Sequence, residues 1–109
     1  MYDMKNLARL SAVTRAVPDT MAAFETFADT ALADGALPRK VKELIAVAVA
    51  LTTQCPYCIE IHGKQARALG ADDAELAEVA MVAAAIRAGG AVTHAAHLVR
   101  PERAAQAAK

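Results

Sequence analysis

Residues 42–71 read KELIAVAVALTTQCPYCIEIHGKQARALGA, and this stretch decides the architecture. Eight consecutive apolar residues, 44–51, are apolar on every side of a helix, which predicts a central helix buried all round. Thr52, Thr53 and Gln54 interrupt the run. Pro56 suits the first turn of the next helix, and Gly70 lies where a C′ glycine closes it. The two helices predict a hairpin turning near Gln54. Both cysteines of the chain and one of its three histidines fall within residues 55–62 of that hairpin.

Outward from the hairpin the pattern stays helical. Upstream, Asp19 is placed to cap a helix over residues 20–33, with Met21, Phe24, Phe27 and Leu32 at near-helical spacing and Asp34 and Gly35 ending it. Pro38 then opens the central helix. Downstream, Asp72 or Asp73 caps a helix that reaches Ala88 and halts at Gly89 and Gly90. A further helix covers residues 91–99 before Pro101, and residues 102–109 read as a short surface helix or a frayed tail. The expectation is a single all-α domain over residues 1–109 with about five to six helices.

The 109 residues are 56% hydrophobic but only 4% aromatic. Alanine, valine and leucine supply helix propensity with little bulk, so each helix buries little area. Such a chain is expected to complete its core by self-association. Twelve basic and twelve acidic residues cancel, which offers no basic footprint for nucleic acid or an anionic membrane. The run 44–51 is far short of the ~20 residues that span a bilayer. Residues 1–10 are too polar for a secretory signal, so a cytoplasmic location is expected. In that reducing compartment, two cysteines separated by two residues point to redox chemistry or a metal rather than a structural staple.

On a helix starting near Cys55, the residues Cys55, Cys58 and His62 share one stripe. Cys55 lies at the helix start, where unpaired N–H groups and the macrodipole favour thiolate. Cys58 has His62 one turn on as a base. Which sulfur attacks first is open at this level. Glu43 is the last charged residue before the apolar run, on a face continued by Val47, Ala50 and Gln54. Around a turn at Gln54 it lies roughly 16 to 18 Å back while His62 lies roughly 10 Å forward. A carboxylate meeting the imidazole would hold its orientation. Plainer readings stand beside these: two thiols buried as small hydrophobes, Glu43 paired with Arg39 on a solvated turn, and His94 and His97 as cap or interface residues. A Cys₂His₂ zinc set of Cys55, Cys58, His94 and His97 is the sharper rival.

The stretch 42–71 resembles the AhpD-like alkylhydroperoxidases of the carboxymuconolactone decarboxylase superfamily. Their redox members carry a Glu, eleven residues, Cys-x-x-Cys, three residues and a His, and Glu43, Cys55, Cys58 and His62 match every spacing. The similarity runs from about Leu37 to Gly90. It implies an all-helical fold and a cofactor-free thiol peroxidase in which Cys58 is oxidised by a hydroperoxide and Cys55 resolves it to a disulfide. It further implies a His62 and Glu43 proton relay, with a dihydrolipoyl protein or another thiol as reductant. Tyr57 departs from the best-studied branch, which has a histidine between the cysteines. Small single-copy members assemble as trimers of dimers, so a homohexamer is expected. The alternatives are a non-catalytic helical oligomer, acting as a redox sensor or zinc module, and a cofactor-free decarboxylase. Decarboxylase members lack the cysteine pair.

Overall fold

The computed structural model describes residues 2–101, among which there are helices and no strand. A 3-10 segment, Met4–Arg9, leads into α1 (Leu10–Ala16) and α2 (Pro18–Leu32). Then come α3 (Arg39–Thr53), α4 (Pro56–Ala68), α5 (Asp73–His94) and a closing 3-10 turn, Ala95–His97.

The centre is α3, packed against α4 on one side and α5 on another. Its inward residues, Glu43, Val47 and Ala50, repeat at helical spacing and are the three that it buries. Ala66 of α4, Ala83 of α5 and Ala71 of the intervening link complete the buried set. Methyl side chains let the helix axes approach closely, at the cost of little apolar area from each. Polar ties hold the edges: Lys40 Nζ meets Glu75 Oε2 at 2.9 Å between α3 and α5, and Arg67 pairs with Asp73.

The local signals are mostly those expected. Pro56 occupies the first turn of α4, and Gly70 follows it with φ +98°, a left-handed conformation that favours glycine. At the start of α5, Asp72 and Glu75 form a reciprocal capping box. The start of α3 differs in detail: Pro38 is the extended residue before the helix, and Asp34 Oδ1 accepts the Arg39 N–H at 2.6 Å. α2 begins at Pro18, so Asp19 lies in its first turn and is not its cap. The helical residues 4–16 were not anticipated, and the tail 102–109 lies outside the described residues.

Two expectations are corrected. Gly89 and Gly90 do not halt a helix: α5 continues through them to His94, absorbing the fifth helix expected over 91–99. Each glycine costs a helix up to about 1 kcal/mol relative to alanine, too little to end one whose neighbours favour continuing. The apolar run 44–51 is not buried all round either. Ile45 and Val49 are 48% and 55% exposed, because α4 and α5 cover only part of the α3 surface.

The same incompleteness shows in the outline. The chain extends 62 × 36 × 32 Å with a radius of gyration of 19.7 Å, where a compact domain of this length has about 13 Å. Residues 10–20 and 84–94 are exposed throughout, so α1, part of α2 and the second half of α5 project from the packed centre. The segment Asp73–His97 has a mean hydropathy of 1.4 in its most apolar window and is long and apolar enough to cross a membrane by length and composition. Acidic Asp73, Glu75 and Glu78 occupy its first turns, where it packs along α3.

A Cβ added at Gly89 or Gly90 would meet no atom within 4 Å. Gly89→Ala and Gly90→Ala are therefore each expected to stabilise the protein by about 0.5–1 kcal/mol, read as a higher midpoint in thermal unfolding followed by circular dichroism.

Candidate active site

The turn between α3 and α4 positions the thiols. Gln54 ends α3 in the left-handed region, at φ 55° and ψ 49°, and its N–H bonds back to the Ala50 carbonyl. The Cys55 N–H reaches the same carbonyl at 3.0 Å. Cys55 is extended and serves as the N-cap of α4, its Sγ accepting the Cys58 N–H at 3.4 Å. A sulfur thus takes the place usually held by a serine or aspartate oxygen. One turn in, Cys58 Sγ lies 2.8 Å from Cys55 Sγ, within hydrogen-bonding distance, and both are half-buried free thiols.

This geometry separates the two thiols electrostatically. Hydrogen bonds from the Cys58 thiol and then the Cys58 N–H hold Cys55 below the ordinary thiol value of 9.0. Donating to Cys55 pushes Cys58 above that value, with burial and the neighbouring charge adding to it. Of the two thiols, Cys55 is therefore the one that ionises more readily, at the helix N-terminus, where orphan N–H groups favour negative charge.

On the same helix, His62 Nδ1 lies 2.7 Å from Glu43 Oε2. Counting along two parallel axes leaves an offset of about 6 Å between these residues, and the packing of α3 on α4 closes it. Glu43 is fully buried, while the His62 side chain is 23% exposed. With Nδ1–H donated to the carboxylate, Nε2 is the nitrogen left to accept a proton. Glu43 Oε1 has no hydrogen bond, and Arg39 Nε stands 3.9 Å from it. The pairing of Glu43 with Arg39 is thus secondary to that with His62, and Glu43 does not sit on a solvated turn.

The structure brings the four sequence-derived residues together as two pairs, Cys55 with Cys58 and Glu43 with His62, separated by one turn of α4. No hydrogen bond joins His62 to either sulfur among the described residues. The zinc set is not assembled: among the described residues no group of three or more His, Cys, Asp or Glu side chains is placed to hold a metal. His94 and His97 instead stack on each other at the end of α5, with ring centroids 5.3 Å apart. Sequence reasoning missed two neighbours of the dithiol turn. Asn6 Nδ2 donates to the Tyr57 hydroxyl at 3.2 Å, and the Tyr2 ring meets that of Tyr57 edge-on at 5.8 Å. Nothing in the local pattern of residues 2–6 signals a contact more than 50 positions away.

The raised value of Cys58 has Cys55 as its first cause. Cys55→Ala is accordingly expected to lower the pH at which Cys58 becomes reactive, bringing it toward the ordinary thiol value. Alkylation rates with iodoacetamide between pH 6 and about 10 measure this. A profile for Cys58 that stays put, or moves to higher pH, contradicts the assignment.

Comparison with known proteins gives the family and the fold. Residues 18–101 match the model of the carboxymuconolactone decarboxylase family. An uncharacterized protein of the cox locus of Paracoccus denitrificans is 47% identical over 91 residues, which cover 84% of this chain and 82% of that protein. A carboxymuconolactone decarboxylase family protein from Legionella pneumophila has a crystal structure that superimposes with a TM-score of 0.72 at 36% identity, over 84% of this chain and 82% of that one. A protein from Methanobacterium thermoautotrophicum superimposes with a TM-score of 0.76 at 34% identity, over 81% and 99% of the two chains. By its matched residues and its fold, this chain belongs to the carboxymuconolactone decarboxylase family.

Proposed function

We propose that this protein is a thiol-dependent peroxidase that reduces hydroperoxides through Cys55 and Cys58. The observation that carries the reading is the sulfur pair, 2.8 Å apart at the start of α4, on a helix that also bears an imidazole oriented by a buried carboxyl group. Cys58 loses its proton toward His62 Nε2, assisted as the shared proton shifts within the dithiol, and its thiolate attacks the outer oxygen of the hydroperoxide. The O–O bond breaks, Cys58 becomes a sulfenic acid, and the alkoxide leaves as an alcohol after taking a proton from the relay. The Cys55 thiolate then displaces hydroxide from the Cys58 sulfur, which departs as water on protonation, and a disulfide forms. A dihydrolipoyl protein or another dithiol restores the pair, giving up two electrons and two protons as it becomes a disulfide. The reaction needs no bound cofactor, and a reducing cytoplasm is the compartment that suits it.

Cys58→Ser is expected to lose hydroperoxide turnover. Cys55→Ser is expected to allow one oxidation to a trapped sulfenic acid and no cycling. Peroxide consumption with a dihydrolipoyl donor, and mass spectrometry of the Cys58 peptide, provide the measurements. Full turnover by Cys58→Ser would sink the reading. Turnover of a lactone or carboxylate substrate by a protein lacking both cysteines would favour the decarboxylases for which the family is named.

The protein acts, on this reading, as a homo-oligomer, and a hexamer built as a trimer of dimers is the specific form proposed. The support is apolar surface that one chain leaves open. Phe24 and Phe27 of α2 are 60% and 69% exposed, and Val82 and Ile86 of α5 are 62% and 73% exposed. A groove between α3 and α5, lined by Val41, Leu44, Ile45, Val79 and Val82 with Glu75 and Glu78, lies open on the same chain. Obligate interfaces bury upward of about 2,000 Å², which these faces supply only in the company of another copy. Light scattering at micromolar concentration is expected to exceed the 11.4 kDa monomer several-fold. A stable folded monomer refutes the assembly.

A further inference from the structure

The chain has two tyrosines and no tryptophan, and its two tyrosines touch each other at the dithiol. Tyr57 occupies the second position of α4, between Cys55 and Cys58, and is half-buried. Two of its contacts come from the far end of the sequence: the ring of Tyr2 edge-on and the amide of Asn6. Met4, Asn6 and Leu7 are the half-buried residues of the Met4–Arg9 segment, whereas residues 10–20 are exposed without exception. The segment is thus seated against the protein along one edge, and its hydrogen bond from Asn6 and its ring contact from Tyr2 both fall on Tyr57.

We propose that Tyr57 couples the redox state of the dithiol to the N-terminal segment: residues 2–9 dock on the reduced form, and closure of the Cys55–Cys58 bond releases them. This rests on the disulfide chemistry of the reading above and extends it to a part of the chain that the reaction does not use. The sulfurs stand 2.8 Å apart as thiols, and a disulfide requires about 2.05 Å with a dihedral near 90°. Closure therefore tightens the turn formed by residues 55–58. It also weakens the Cys55 sulfur as acceptor of the Cys58 N–H, since a disulfide sulfur is a poorer acceptor than a free one. Tyr57 lies inside that turn and moves with it. Its bond to Asn6, at 3.2 Å, is already at the long edge of the hydrogen-bond range, so a small displacement breaks it. The contacts of Tyr57 with Asn6 and Tyr2 are weak enough to be switched, because a neutral hydrogen bond and an edge-on ring pair each contribute only about 1 kcal/mol.

Linkage makes the coupling reciprocal. If closing the bond expels the segment, docking of the segment must favour the dithiol. The reduced and oxidised forms then present different surfaces beside the sulfurs, and the oxidised surface is the one a dithiol reductant meets. Tyr57 is in this sense a positioning residue, acting on the equilibrium of the pair without touching the hydroperoxide.

The full chain equilibrated in mixtures of reduced and oxidised dithiothreitol, and then alkylated, gives the dithiol–disulfide equilibrium constant without any peroxide. Asn6→Ala combined with Tyr2→Ala is expected to shift that constant toward the disulfide by about five- to thirty-fold. Tyr57→Phe keeps the ring contact and loses the hydroxyl, so a smaller shift is expected, and combining it with Asn6→Ala should shift the constant by less than the sum of the two single changes. Tyrosine-selective NMR labelling gives two ring signals, and a cross-peak between them is expected in the reduced protein and lost on oxidation. A disulfide that forms with the same constant in all variants, or with the cross-peak retained, overturns the coupling and leaves the peroxidase reading standing. A pair that forms no intramolecular disulfide in these mixtures overturns both.

Discussion

A carboxyl group with no exposed surface, Glu43, sits in the second turn of the helix that touches both α4 and α5. Burying such a group is costly unless it is paired, and breaking a buried pair by removing one partner typically costs several kcal/mol. Here the partner is His62, 19 residues on and across the hairpin, at 2.7 Å. That contact has consequences beyond itself. It selects one register of α4 against α3, because sliding either helix by a turn would leave the carboxyl group buried with no imidazole. The register in turn sets where the first turn of α4 falls, and so where the two sulfurs lie. An apolar pair of similar volume would pack as well without specifying the register so sharply.

The thiol pair draws on the opposite kind of environment. Cys55 sits at a helix start made by a left-handed Gln54 and a proline, where N–H groups are in surplus. The Cys58 thiol and then the Cys58 N–H lower the proton affinity of the sulfur in that position, while the same thiol–thiol contact raises that of its neighbour one turn in. Two chemically identical side chains thereby differ in proton affinity through placement. The imidazole on the same helix face, its Nδ1 committed to Glu43, leaves Nε2 as a proton acceptor on the face that the sulfurs share.

The packed centre is small for a chain of this length, and it consists mainly of alanine. Close approach of helix backbones gives it good contacts per atom but little buried area. The large apolar residues, Phe24, Phe27, Met81 and Ile86, lie instead on surfaces that a single chain exposes. The chain spends its bulk on outward faces and its small residues on inward ones, which is the distribution expected of a protein whose interior continues across a subunit boundary.

Much of this was legible in the sequence because the deciding signals are local. Pro56, Gly70 and the Asp72–Asp73 pair mark helix ends through the backbone conformations and orphan hydrogen bonds of single turns, which need no tertiary context. The spacing of Cys55, Cys58 and His62 places them on one stripe by helix geometry alone. What the sequence left open involved contacts between distant residues or a balance among comparable small energies. Gly89 and Gly90 read as a stop, yet their helix penalty is too small to outweigh the residues on either side. The run 44–51 read as buried all round, but exposure depends on how many neighbours arrive, and only two helices pack closely there. Register across the hairpin is likewise a matter of packing: it is the meeting of Glu43 with His62, which linear counting leaves about 6 Å apart, that the tertiary structure decided. So is the seat of Tyr2 and Asn6 on Tyr57, since no periodicity in a chain records which of its distant parts will touch.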